Sequence, residues 1–207
     1  MCRKSIKAII FDVGGVLVNT KDHGPREQLA AQVGLSLNEL YAAVFGSDTW
    51  NLAQTGVITN DEHWQAIGRR LGFGWPNETN TFRSLFFAGD QLDRELIALI
   101  QQWHANYKIA LLSNAAANLR RWIEQEWEIP GNTFDEIVIS AEEGIIKPAP
   151  EIYHIALNRL GIVPHQAIFV DDLLENVQAA QSLGIHAIHH ITRERTVAQI
   201  QALLATL

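Results

Sequence analysis

Four short apolar runs constrain this chain more than any other feature: Ala8-Ile9-Ile10-Phe11, Ile109-Ala110-Leu111-Leu112, Ile137-Val138-Ile139 and Ala167-Ile168-Phe169-Val170. A strand wetted on one face carries a polar residue at every second position. These runs do not, so they fit strands covered on both faces, as in a parallel sheet. Each is too short for a buried helix. Each also stops at a polar residue, respectively Asp12, Ser113, Ser140 and Asp171.

Helical patterns separate the later runs. Leu92 to Trp103 places Leu96, Leu99, Ile100 and Trp103 on one face. Pro150 to Leu160 opens on proline and closes on Gly161, Glu175 to Leu183 closes on Gly184, and Thr196 to Leu204 predicts a last helix. Alternation of this kind predicts an α/β fold with a doubly wound parallel sheet and right-handed crossovers.

The stretch from Asn19 to Gly89 differs. It holds no strand run, but Ser36-x-x-Glu39 and Thr59-x-x-Glu62 have the spacing of capping boxes, and Gly34, Gly46 and Gly72 fall where helices would end. The expected organisation is an α/β core of residues 1–18 and 90–207, with an α-helical cap domain inserted over 19–89. A chain of 207 residues has room for both.

Charge and composition narrow the function. Lys+Arg 16 against Asp+Glu 23 gives a net charge of -7, which argues against nucleic acid or an anionic membrane as partner. The single cysteine, Cys2, excludes an internal disulfide or a Cys-rich zinc site. No signal peptide is expected in Met1-Cys2-Arg3-Lys4-Ser5, and no run of about eighteen apolar residues exists for a membrane span. The expectation is a soluble cytoplasmic protein.

In a parallel sheet the carboxyl ends of the strands share one rim, where open α/β folds bind ligands. Asp12, Ser113, Asn114, Asp171 and Asp172 would meet there, with Lys147 reaching in from the loop Gly144-Ile145-Ile146-Lys147-Pro148. Three carboxylates, a hydroxyl, an amide and an ammonium form a set able to hold a divalent cation and a phosphoryl group together.

Phe11-Asp12-Val13-Gly14-Gly15-Val16-Leu17, Leu112-Ser113-Asn114, Lys147-Pro148 and Phe169-Val170-Asp171-Asp172-x-x-x-Asn176 resemble, in order, the four motifs of the haloacid dehalogenase-like hydrolase superfamily, and the insert resembles its small α-helical cap. Trp50, Gly56-Val57-Ile58-Thr59 and the run Lys147 to Tyr153 are most similar to sugar-phosphate phosphatases of the α-D-glucose-1-phosphate phosphatase type. The resemblance implies that Asp12 is a nucleophile forming an aspartyl phosphate. It implies that Mg²⁺ is held by Asp12, the carbonyl of Gly14 and Asp172, with Asp171 a direct or water-mediated neighbour. Ser113 and the amide of Asn114 would grip the phosphoryl oxygens, Lys147 would bridge Asp12 and the phosphate, and Asn176 would hydrogen-bond. The substrate implied is a small phosphorylated metabolite, a sugar phosphate by preference.

One position departs from that pattern. Most phosphatases of the superfamily carry a second aspartate two residues after the nucleophile, where this chain has Gly14. Loss of a general acid-base typically costs on the order of 10²–10⁴-fold in rate. Three readings follow: a phosphatase whose leaving group needs little protonation, such as an anomeric phosphate; a 2-haloacid dehalogenase, whose halide leaves without a proton; or a binding or regulatory protein with little turnover. His23, Asp48 and Asp61 are nominal substitutes for the missing acid.

Other residues read as structural. His186, His189 and His190 lie on a strand and its exit, where side chains alternate and cannot converge on a metal. Trp64, Ile67 and Leu71 have the spacing of a helical core face. Trp103, Trp122 and Trp127 read as packing on helices that flank the sheet, Arg69 and Arg70 as a solvated helix end, and Trp50 as either core or site.

Overall fold

The computed structural model describes residues 5–206, so Cys2 lies outside the described residues. The chain runs through β1 (Ala8–Phe11) and β2 (Val18–Thr20) into five helices: α1 (Gly24–Gln32), α2 (Leu37–Phe45), α3 (Asp48–Gln54), α4 (Asn60–Leu71) and α5 (Asn77–Phe87). It continues through β3 (Asp90–Leu92), α6 (Arg94–His104), β4 (Lys108–Ser113) and α7 (Leu119–Arg121), which passes into a π-turn over Trp122–Glu126. Then come β5 (Glu136–Ile139), α8 (Ser140–Glu143), α9 (Pro150–Leu160), β6 (Ala167–Asp171), α10 (Leu174–Ser182), β7 (His186–His189) and α11 (Arg193–Thr206).

Five strands form one sheet in the order β5-β4-β1-β6-β7, every pair parallel. The unbroken apolar runs follow from burial on both faces. Ile9, Phe11, Ile109 and Leu111 enter one hydrophobic cluster with Leu96 and Ile100 of α6 and Ile200 of α11. Ala8, Ile10, Ala110 and Leu112 enter the other, with Tyr153 and Leu157 of α9. The chain steps from β1 to β4 and β5 on one side and later to β6 and β7 on the other. The order therefore reverses beside β1, where the carboxyl ends open a crevice.

The helices α1–α5 have a core of their own, built on Leu29, Leu40, Val44, Trp64, Ile67, Phe82 and Phe86. Both expected capping boxes form: Ser36 and Glu39 at α2, Thr59 and Glu62 at α4. Gly46 and Gly72 cap α2 and α4, whereas α1 closes on Val33 with Gly34 just beyond it. Trp64 and Ile67 are buried there as expected.

Several boundaries differ from the sequence reading, among them the last helix, which begins at Arg193 and not at Thr196. β2 runs into the stretch expected to lack strands, pairing antiparallel with β3 through Val18–Leu92, Asn19–Gln91 and Thr20–Asp90. Three residues are too few to show a period, and this strand exists because its partner does. The helix expected from Leu92 begins at Arg94, because Leu92 belongs to β3 and Asp93 caps the helix by accepting from the Leu96 N–H at 2.9 Å.

The two connecting strands are pinned by Arg26, which is 3% exposed. Its guanidinium donates to the Phe86 carbonyl at 2.6 Å, Thr20 Oγ1 at 2.7 Å and Asp90 Oδ2 at 2.7 Å, and also to the Tyr41 hydroxyl. A buried guanidinium is tolerable only when its donors are met in this way. Among the described residues no helix is long and apolar enough to cross a membrane.

Candidate active site

Every residue singled out at a strand end reaches the same rim. β1 delivers Asp12, whose Oδ1 accepts from its neighbour Val13 N–H at 2.7 Å. β6 delivers Asp171 and Asp172, and β4 delivers Ser113 and Asn114. Asp12, Asp171 and Asp172 bring carboxylate oxygens within 4.8 Å of one another, and among the described residues no other group of acidic, histidine or cysteine side chains meets that condition.

Lys147 sits in the middle of this rim, 3% exposed. Its ammonium has three donors and meets three acceptors: the Leu112 carbonyl at 2.9 Å, Asp171 Oδ2 at 2.6 Å and Asp12 Oδ1 at 3.0 Å. The loop that carries it is clasped by Asn114, whose Nδ2 donates to the Lys147 carbonyl at 2.9 Å and whose Oδ1 accepts the Lys147 N–H at 2.7 Å. The Asn114 side-chain amide is thus committed to positioning the lysine.

Asp171 is fully buried and heavily engaged. Besides Lys147 it accepts from Asn176 Nδ2 at 3.1 Å on each oxygen and from the Leu173 N–H at 2.8 Å. Asp172 is the less buried of the pair, and it packs against Gly15. Gly15 has φ +73, and a Cβ there would run into the Asp172 carboxylate, so glycine is required on both counts. Gly14 is the opposite case: a Cβ there would meet nothing within 4 Å.

The electrostatics are unbalanced. Burial above all, with Asp171 adding to it against the opposing pull of Lys147, raises the Asp12 carboxyl to about 6. Burial and then Asp171 push Asp172 upward as well. Three carboxylates against one ammonium leave a net charge of -2, and all the unsatisfied donors are hard oxygens. That set fits Mg²⁺ in both charge and donor type.

A cavity of about 530 Å³ opens above this rim, with Gly14, Gly15, Ser113 and Asn114 in its floor. Its far walls come from the helical segment and from the π-turn. Trp50 lines it, settling the two-way expectation for that residue. Trp122 and Trp127 line it too, a position beyond the packing expected of them, which Trp127 also makes against the core. The cause is the π-turn: the Trp127 N–H donates to the Trp122 carbonyl at 3.0 Å, five residues back. In an α-helix, residues five apart point about 0.4 of a turn away from each other. The wider π-turn brings both indoles to one cavity. Trp103 is packing, stacked on Phe11.

None of the three nominal acids lines this cavity: His23 and Asp48 are exposed, and Asp61 pairs with Arg83 at 3.0 Å. The histidines do not converge on a metal either. His190 bonds Thr196 at 2.9 Å, and His189 Nε2 meets the Asp172 carbonyl at 2.9 Å.

The family model for haloacid dehalogenase-like hydrolases matches residues 6–184. The chain belongs to that family. It is 30% identical over 193 residues to a sesquiterpene phosphatase of Aspergillus oryzae, covering 91% of each chain. It is 26% identical to a D-ribitol-5-phosphate phosphatase of Bacteroides thetaiotaomicron, covering 86% of this chain and 89% of the relative. Its fold matches a haloacid dehalogenase-family enzyme of Bacteroides thetaiotaomicron solved with magnesium and inorganic phosphate, with a TM-score of 0.76, 22% identity, and coverage of 91% of this chain and 96% of that one. This member of the family is a hydrolase, and the two sequence relatives named above are phosphatases.

Proposed function

We propose that this hydrolase is a Mg²⁺-dependent phosphomonoesterase acting through an aspartyl phosphate on Asp12. The observation that carries the reading is the meeting of Asp12, Asp171 and Asp172 around Lys147, beside a cavity whose lining includes the neighbouring Val13, Gly14 and Ser113. The helical segment 19–89 serves as the cap domain over the core formed by 1–18 and 90–207.

In this reading Asp12, the Gly14 carbonyl and Asp172 would hold Mg²⁺, whose charge would neutralise the approach of one anion to another. Asp171, already bound to Lys147 and Asn176, acts mainly by fixing the lysine. Asp12 Oδ1 is held by Val13 and Lys147, which sets the rotation of the carboxylate. An oxygen of Asp12 attacks phosphorus, the bond from phosphorus to the leaving oxygen breaks, and that oxygen takes a proton from water. A second water then cleaves the acyl phosphate, restoring Asp12 and releasing inorganic phosphate. Lys147, the Ser113 hydroxyl and the main-chain N–H of Asn114 stabilise the charge on the phosphoryl oxygens.

The acidic cluster favours this reading over a 2-haloacid dehalogenase, whose metal-free chemistry leaves three clustered carboxylates with Lys147 as their single neighbouring ammonium. The substrate is a small phosphorylated metabolite and the compartment the cytoplasm. Relatives support two chemistries for the organic group: a polyol phosphate, in line with the sugar phosphate expected from the sequence, and a terpenoid.

The test is release of inorganic phosphate from acetyl phosphate and p-nitrophenyl phosphate with Mg²⁺ and with EDTA, beside halide release from 2-chloropropionate. Expected are Mg²⁺-dependent phosphate release, no halide, and a phosphorylated Asp12 peptide after acid quench. Substantial turnover by Asp12→Asn would remove Asp12 as the nucleophile.

A further inference from the structure

We propose that the organic group of the substrate is apolar, so that this site hydrolyses phosphate monoesters of hydrophobic alcohols or phenols in preference to those of polyols. The inference rests on the phosphomonoesterase reading and specifies its substrate class. The cavity that adjoins the catalytic rim is walled by Phe45, Trp50, Trp64, Phe87, Trp122 and Trp127. These rings brace one another: Trp50 lies edge-on to Phe45 at 5.1 Å, Trp64 to Phe87 at 5.7 Å, and Phe87 to Trp122 at 5.8 Å. The last pair joins the helical segment to the core across the cavity.

Most of the polar groups in the same walls are already engaged, Asn60 and Asn118 being the side-chain amides there without a protein partner among the described residues. Arg26 donates to Asp90 and Thr20, Thr20 Oγ1 donates to Asp90 at 2.7 Å, and Asn19 Nδ2 donates to the Val16 carbonyl at 3.1 Å. A polyol placed there would lose water from each hydroxyl and find few free partners. Each such unmet group is a penalty large enough to decide specificity. A hydrocarbon or aryl group loses nothing of the kind and gains contact with preordered rings, and about 530 Å³ lies within the range that encloses a drug-sized ligand. The floor of the cavity, at Gly14, Gly15 and Ser113, borders the acidic rim, so the organic group would extend from the phosphoryl site toward the aromatic chamber.

The test separates binding of the organic group from departure of the leaving oxygen. Phenyl, 4-butylphenyl and 4-octylphenyl phosphate share one kind of leaving group and differ only in apolar length. Expected is a rise in kcat/KM of up to about fourfold per added methylene until the chamber is full, with ribitol 5-phosphate and fructose 1-phosphate well below the octyl compound. Trp122→Ala should flatten the dependence on length. A flat series, or polyol phosphates outrunning the octylphenyl ester, overturns the inference.

A second arm needs no turnover. With Mg²⁺ present, n-decylphosphonate and methylphosphonate are titrated against intrinsic tryptophan fluorescence. The decyl compound should bind at least tenfold more tightly and perturb the emission. If no phosphate ester is hydrolysed, the phosphomonoesterase reading fails alone and this titration decides the chamber: tighter binding of the longer chain upholds it, and equal binding overturns it.

Discussion

Lys147 Nζ stands 3.0 Å from Asp12 Oδ1, and the two residues lie on either side of the helical insert in the sequence. The same ammonium lies 2.6 Å from Asp171, so one cation holds two buried carboxylates. Replacing Lys147 by Met leaves both without a countercharge, with only the hydrogen bonds from Val13, Leu173 and Asn176. Expected is a loss of about 3–5 kcal/mol in urea unfolding and a fall of at least about 10²-fold in phosphate release. Adding Asp171→Asn to that variant should restore part of the stability and none of the activity. A Lys147→Met protein as stable as the parent would show that the pair contributes nothing net.

Gly14 and Gly15 are adjacent glycines with opposite tolerances. Gly14→Asp meets open space, so the new carboxyl can occupy the position where a general acid is otherwise missing. Expected is faster hydrolysis of simple alkyl phosphates, by as much as about 10²-fold or more, with little change on acetyl phosphate, whose leaving group needs no proton. The ratio of the two rates is the measurement. An unchanged ratio would mean that proton donation does not limit this enzyme.

Gly15→Ala should be harmful. Its backbone lies at φ +73 and its Cβ would enter the Asp172 carboxylate. The strain alone is worth about 1–3 kcal/mol, visible as a lower Tm. Displacement of Asp172 should also raise the Mg²⁺ concentration needed for half-maximal activity. A normal Mg²⁺ requirement in this variant would place the cation away from Asp172.

His63 makes the helical segment sensitive to acid. It is buried between Trp50 and Trp64, bonds Thr49 through Nδ1 at 2.9 Å, and leaves Nε2 without a partner. Burial pushes its imidazole down to about 4 from an ordinary 6.5. The unfolded chain therefore binds the proton more readily between those values, and stability present above pH 6.5 is lost as pH falls toward 4. The slope should approach roughly 1 kcal/mol per pH unit in urea midpoints and should shrink in His63→Gln. Identical slopes for the two proteins would assign the acid sensitivity elsewhere.

Much of the catalytic rim was legible in the sequence. Asp12, Ser113, Asp171 and Asp172 stand where unbroken apolar runs stop, and in a parallel sheet those stops are neighbours. The roles inside the rim were less legible. That the Asn114 side chain would clasp the Lys147 loop was not readable. Asp171 was expected as a direct or water-mediated neighbour of the metal, and its ties to Lys147, Asn176 and Leu173 were not readable. Hydrogen-bond partners of this kind depend on fractions of an ångström between elements distant in the chain, and no local pattern records them.

The sequence by itself determined the sheet, the helical insert and the acidic ends of the strands, because burial on two faces and helix capping are local rules written in residue order. Only the tertiary structure decided what the cavity prefers. Arg26 with Asp90, and Phe87 against Trp122, are meetings between separate elements. Trp122 and Trp127 share a wall only because the helix there widens by one residue. The physical reason is that periodicity fixes which face of an element is apolar, whereas packing between elements fixes what that face touches.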